Sequence, residues 1–319
     1  NAMLASGRVK EAEKEYGNLI RLNPDKPAGY YRLALIKSNN GQYGPSDELL
    51  RKAFRINPRL MDVFSLRIRN RIAEKDFDKA HELCSRQLDI EADNKHSRAI
   101  VHHIRGGIYL SRNKTAEAEK AYKKAISTDP DYLQPYGALA EIMLSKNDLD
   151  NAVRQYEIIL EKKPTLAPPH MMLGIIYEKK QAFDKAEQHY RKALEIDPQF
   201  APAANNLANH LAERTEKFDE ALQYARKAKE IMPENPGIMD TLGLVYYKKE
   251  LYGSAVSEFI DSLKQIPDNP VVHYHLGLAY NKKGELDLAR KSLSRALELS
   301  DSFQGAKKAK SLLEKLHQG

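Results

Sequence analysis

Seven prolines stand at nearly equal steps along this chain, and their spacing limits the fold more than any other feature. Pro24, Pro58, Pro130, Pro164, Pro198, Pro233 and Pro267 are separated by 34, 72, 34, 34, 35 and 34 residues. The segments around them are near copies: KAFRINPRL from Lys52, KAISTDPDY from Lys124, KALEIDPQF from Lys192, and RALELSDSF from Arg295 without its proline. Proline has no N–H to donate and fixes φ, so each copy is read as the stop of a helix. A length of 319 residues would allow two ordinary domains. A fixed period instead marks stacked copies of one small unit.

Twelve residues before each stop stands a small side chain: Ala12, Ala80, Ala118, Ala152, Ala186, Ala221, Ala255 and Ala289, with Ser46 the exception. A second small position lies about twelve residues further back, at Ala34, Gly106, Ala140, Gly174, Ala208, Gly243 and Gly277. Small residues at fixed places let two helices approach closely, so the unit is a helical hairpin. The gap of 72 hides one unit ending near Ala92, followed by four extra residues, Lys95 to Arg98. In that unit, RLMDVFSLRIRNRIAEKDFDKA, the small position holds Ile68. Extra methylenes at a helix contact cost about 1–3 kcal/mol unless the backbone shifts. Residues 61–98 are therefore expected to be an irregularity or bend.

One unit reads His170, Leu173-Gly174, Tyr177, Ala186, Tyr190, Ala193, Pro198, and another reads His273, Leu276-Gly277, Tyr280, Ala289, Leu293, Ala296. With these residues in this order, the chain resembles the tetratricopeptide repeat family, whose unit is 34 residues long. The resemblance implies an all-α, right-handed α-solenoid of tandem hairpins ending in a capping helix. Eight complete units start near Pro27, Met61, Ala99, Leu133, Ala167, Ala201, Pro236 and Pro270. The expected organisation is a tag remnant (Asn1-Ala2-Met3) and partial unit over 1–26, two units over 27–98, six over 99–302, and a cap over 303–319. In the cap, Ala306, Ala309, Leu312, Leu313 and Leu316 recur at helical spacing, while Lys307, Lys308, Lys310 and Lys315 fall mostly on other faces. Met3 to Gly7 match only the tail of a first helix, which predicts that the native chain continues upstream. APAANNLA, DTLGLVYYKK and VVHYHLGLAY are similar to bacterial repeat lipoproteins and to scaffolds of exopolysaccharide export and protein sorting.

The search for chemistry assigns no catalytic residue, cofactor or metal, and the chain is read as not an enzyme. A single cysteine, Cys84, excludes an intrachain disulfide and a cysteine-based metal site; its helix position predicts a buried, inert thiol. His102 and His103 point about 100° apart on a helix, His273 and His275 about 200°, so neither pair chelates from one face. His170 and His273 occupy an aromatic slot and are read as packed rings. His81-Glu82 lacks the second histidine of a zinc-protease motif, and the carboxylates are scattered. No apolar run nears the ~20 residues of a membrane span. The compartment, cytoplasmic or periplasmic, stays open, as does the oligomeric state.

Charge is high and nearly balanced, with 51 basic and 44 acidic side chains. Residues 1–98 hold 19 against 14, and from Arg51 to Arg71 seven basic residues meet one acid, Asp62. Arg51, Arg55, Arg59, Arg67, Arg69 and Arg71 are thus a candidate patch for an anionic partner. Elsewhere no continuous basic stripe or row of stacking aromatics runs along the units, which argues against nucleic acid.

The resemblance also implies a concave groove lined by the first helix of each unit. Carried over, its apolar wall is Met171, Ile175, Leu244, Tyr247, Tyr274 and Leu278. Asn205 and Asn209 form a polar rung, and Asn281 follows in the last unit. Asparagine offers both donor and acceptor to a peptide backbone. The carboxylate clamp of some relatives is absent, because Met171, Ile175, Gly237 and Thr241 stand where its basic and amide residues belong. The expected function is a scaffold binding a peptide, helix or partner subunit in this groove. The alternatives are the recruiting arm of a larger enzyme, or a binder of an anionic polymer through the basic N-terminal third.

Overall fold

A computed structural model of the chain describes residues 9–318, and among these it holds eighteen α-helices and no strand. The tag-like opening and Met3 to Gly7 lie outside the described residues. Helix α1, Val9–Leu22, precedes seven packed hairpins and the helices α8 and α9. Of these, α2 (Pro27–Asn39) pairs with α3 (Tyr43–Ile56), α4 (Met61–Ala73) with α5 (Phe77–Ile90) and α6 (Lys95–Leu110) with α7 (Thr115–Thr128), and α8 (Gln134–Ser145) is followed in the chain by α9 (Leu149–Lys162). The last four pair α10 (Ala167–Lys179) with α11 (Phe183–Ile196), α12 (Ala201–Arg214) with α13 (Phe218–Ile231), α14 (Pro236–Lys248) with α15 (Tyr252–Gln265), and α16 (Pro270–Lys283) with α17 (Leu286–Leu299). The final helix is α18, Ala306–Gln318. The chain forms two compact units, Asn1–Gln155 and Tyr156–Gly319, and in each the helices pack on their chain neighbours.

The hairpins turn through one left-handed residue at a fixed place: Gly41, Lys75, Asn113, Asn147, Gln181, Glu250 and Gly284, with φ between 56° and 86°. Only glycine and asparagine adopt this region readily. Lysine, glutamine and glutamate hold it here because helix packing on both sides fixes the turn. The α12–α13 turn differs: Thr215 is extended, with φ −135° and ψ 175°, in the unit whose prolines stand 35 residues apart.

Within a hairpin, sizes alternate across the contact. Gly106 faces Tyr122, Gly174 faces Tyr190, Gly243 faces Phe259 and Gly277 faces Leu293, always sixteen residues on. A Cβ at Gly243 would stand 2.6 Å from Phe259 Cε1. In α4–α5 the sizes are exchanged, since Ile68 and Cys84, again sixteen apart, share a buried cluster with Phe64 and Ala80. Cys84 thus returns part of the room that Ile68 takes. Even so, α4 and α5 stay close over a shorter stretch than the partners of α2–α3 or α6–α7, as the isoleucine predicts.

Two local expectations change. The extra residues 95–98 are the first turn of α6, capped by Asn94, whose Oδ1 accepts from the Ser97 N–H at 3.0 Å. An asparagine cap makes helix cheaper than loop there. Ser46, the exception among the alanines, is explained by its partners: its hydroxyl donates to Ala34 O at 2.8 Å and accepts from Asn70 Nδ2 at 2.9 Å. Asn70 Oδ1 in turn accepts from the Ser38 hydroxyl at 2.5 Å.

Candidate functional site

In the second unit α12, α14 and α16 lie beside one another, and with α18 they border an open cleft of about 1100 Å³. Five of the nine expected groove residues line it: Asn209, Leu244, Tyr247, Tyr274 and Leu278. Leu244 and Tyr247, like Tyr274 and Leu278, are one helical turn apart, so each pair shares a face. Leu244 and Tyr274 are nearly covered, at 6% and 7% exposure, while Tyr247 and Leu278 are half-buried. Tyr274 is held in place by Phe303, ring centroids 5.7 Å apart, and by Gly305. At Gly305 φ is +104° and a Cβ would stand 2.5 Å from the Tyr274 ring, so glycine is required twice over. Burial raises the phenol pKa of Tyr247, with Tyr252 and Tyr274 adding to it, and that of Tyr274, with Glu213 adding to it. Both hydroxyls remain donors at neutral pH.

The cleft also carries charge. Asp240 Oδ1 lies 2.8 Å from His275 Nδ1, and Glu213 lies 3.5 Å from Lys248 Nζ. Burial alone would lower the His275 pKa; the Asp240 charge and hydrogen bond, helped by Glu213, raise it overall against the opposing Lys248. Lys307, Lys308 and Lys315 of α18 line the cleft as well. Sequence reasoning placed these lysines mostly off the apolar face of the cap and gave them no role. The signal that could have found them is the series Lys308, Ser311, Leu312 and Lys315, which recurs at helical spacing on one side of the cap.

The other expected groove residues stand elsewhere. Met171 and Ile175 pack against the buried cluster that holds Leu207 and Leu211. Asn205 and Asn281 are half-buried outside the cleft lining, and Asn205 Oδ1 is covered without a hydrogen-bond partner.

The arginines of the first unit do not form one open basic surface. Buried Asp47 accepts from Arg67 Nε at 3.2 Å and also pairs with Arg71 at 3.2 Å and Arg51 at 2.9 Å. Arg71 further meets Glu74 at 2.8 Å, and Arg59 meets Asp93 at 2.9 Å. Arg69 donates to Ser38 Oγ and Asn39 Oδ1 at 3.2 and 3.1 Å. Only Arg55 stands exposed with no such partner among the described residues. The neutralising acids lie outside the Arg51–Arg71 window and meet it through folding, which a count along the chain cannot register.

His170 and His189 bring their Nδ1 atoms to 3.1 Å, and Tyr177 stacks on His189 with centroids 5.3 Å apart. Burial lowers both histidines, His189 to about 4, which keeps them neutral packed rings. Burial also pushes the Cys84 thiol up to about 11, as an inert core thiol requires. Among the described residues no three His, Cys, Asp or Glu side chains converge on a common metal position.

Comparison with known proteins follows the same lines. Four family models, each described as a tetratricopeptide repeat, match residues 27–60, 109–174, 167–200 and 241–302. The crystal structure of the APC/C hetero-tetramer Cut9-Hcn1 superposes with a TM-score of 0.66 at 18% identity, over 89% of this chain and 55% of that one. This chain therefore spans about half the length of that relative. YrrB, described as a TPR protein with an unusual peptide-binding site, gives a TM-score of 0.46 at 24% identity, over 60% of this chain and 99% of that one. At such identities the likeness is one of fold. No curated protein sequence matches the chain.

Proposed function

The chain belongs to the tetratricopeptide repeat family of protein–protein interaction scaffolds, and from that premise we propose that it holds an extended segment of a partner protein in the cleft of α12, α14, α16 and α18. The observation that carries this reading is a convergence. Five side chains chosen from repeat register alone meet in one cleft of about 1100 Å³.

Each group has a task in such a complex. Asn209 is exposed on α12 and offers a donor and an acceptor to a peptide backbone, which requires no particular sequence. Tyr247 and Leu278 supply apolar area that stays partly wet until a side chain covers it, on a floor of nearly covered Leu244 and Tyr274. Aromatic anchors of this kind dominate binding energy at interfaces, and tyrosine loses little conformational freedom on contact. The role is positional: the partner is held, and no bond in it is changed.

A photo-crosslinking amino acid placed at Leu278 in the full chain, in the cells that make it, tests this. Crosslinks to a partner protein are expected from position 278 and not from exposed Lys291 on α17. Equal products from both positions, or none from either, would overturn the reading.

A further inference from the structure

Resting on that reading, we infer that the partner segment is acidic and apolar in alternation, with its carboxylates directed to the capping-helix lysines Lys308 and Lys315. The cleft's charges decide the sign. On α12, α14 and α16, Asp240 is answered by His275 and Glu213 by Lys248. Lys307, Lys308 and Lys315 are exposed and make no ion pair among the described residues, while Asp301, before α18, is the unpaired acid of the lining. Three free cations against one free anion leave the cleft with an unanswered positive excess on its α18 side.

Geometry narrows the occupant further. Lys308 and Lys315 are two helical turns apart, roughly 10 Å along α18. Same-side positions of an extended segment recur every two residues, about 7 Å, a step that two long, flexible lysine side chains at this separation can both reach. An extended chain sends successive side chains to opposite sides. Acidic residues can then meet the lysines while the intervening apolar ones cover Tyr247 and Leu278. A sulfated glycan presents charge without aliphatic side chains, and a run of bases would find only half-buried Tyr247 to stack on, because Tyr274 is nearly covered. The apolar lining therefore favours a peptide over either polymer. Long lysine side chains close to solvent give attraction that salt weakens.

The test is a random-peptide phage selection on the full chain, followed by titration of the best synthetic peptide. Expected are sequences with alternating Asp or Glu and apolar residues. Their affinity should fall about tenfold or more in K308Q/K315Q and lose most of its salt dependence. It should vanish in N209Y, which fills the cleft from an exposed position and leaves the fold undisturbed. Neutral or basic selected peptides that N209Y blocks, or acidic ones indifferent to K308Q/K315Q, would overturn the acidic partner and leave the cleft standing. Failure to select any peptide, or selected peptides that ignore N209Y, would overturn the cleft itself. Heparin retention that depends on Lys308 and Lys315 in that last case would assign the lysines to a polymer instead.

Discussion

Helices α2–α5 and α14–α17 are built from the same hairpin and differ in what surrounds its contact positions. In α14–α17 the contacts are glycine against a ring or a leucine, the helices close tightly, and the apolar face beyond them is left to line a cleft. In α2–α5 those places hold Ala34 with Leu50 and Ile68 with Cys84, and beside them Ser46, Asn70 and Asp47 form a polar network that draws in Arg67, Arg69 and Arg71. What a surface offers a partner is therefore not its charge but the charge that folding leaves unanswered. The arginine-rich stretch is largely neutralised from within, while the cap lysines are not.

The severest test of this contrast is Asp47→Ala. Asp47 is 3% exposed, and Arg67 and Arg71 keep only 13% and 11% of their side chains exposed. Removing the carboxylate leaves mostly covered Arg67 without its carboxylate and Arg71 with Glu74 and Asp76 alone, a change approaching the about 3–5 kcal/mol lost when a buried pair is broken. Denaturant unfolding should show the loss, and hydrogen exchange should accelerate in α2–α5 while α14–α17 keep their protection. A loss below about 1 kcal/mol would mean that the arginines rehydrate freely. The polar junction would then be decoration on an ordinary hairpin.

Next in size is Gly243→Leu. The first added carbon already collides with Phe259 inside the α14–α15 hairpin, so the ring or a backbone must move. A cost of about 1–3 kcal/mol and a lower melting temperature are expected. The matching change in α4, Ile68→Leu, swaps isomers beside small Cys84 and should cost less than about 1.5 kcal/mol. Equal costs at the two sites would erase the distinction between a closed and an opened hairpin.

Much of this was legible from periodicity, because a proline stop and a small contact residue act locally and repeat in register. The hairpins, the capping helix, the buried Cys84 and the looser α4–α5 pair follow from such positions. The cleft was legible only in part. Repeat register places Leu244, Tyr247, Tyr274 and Leu278 on the first-helix face, but it cannot tell that face from a packing surface, and Met171 and Ile175 at equivalent positions are packed. The cap lysines were missed because α18 has no repeat register to carry over. The Asp47 hub was missed because its arginines lie 20 and 24 residues downstream of it, and no pattern along the chain links them.

The smallest effect expected is one of sign. The His275 pKa is raised by Asp240 in the folded second unit, so its contribution to stability is full below the ordinary value of 6.5. It is lost as pH rises through the raised value. In the first unit His102 is lowered to about 4 by burial, with Arg105, Lys124 and Arg98 adding to it. Its contribution is present above 6.5 and is lost as pH falls toward 4. Hydrogen exchange corrected for intrinsic rates should therefore show α16 losing protection as pH rises past 6.5, and α6 losing it as pH falls below. Asp240→Asn removes the chief cause of the raised value and leaves burial in command, so the α16 trend should reverse and follow that of α6. A slope at α16 that Asp240→Asn leaves unchanged would mean that the histidine in the cleft is neutral throughout, and that Asp240 is free to repel an acidic partner.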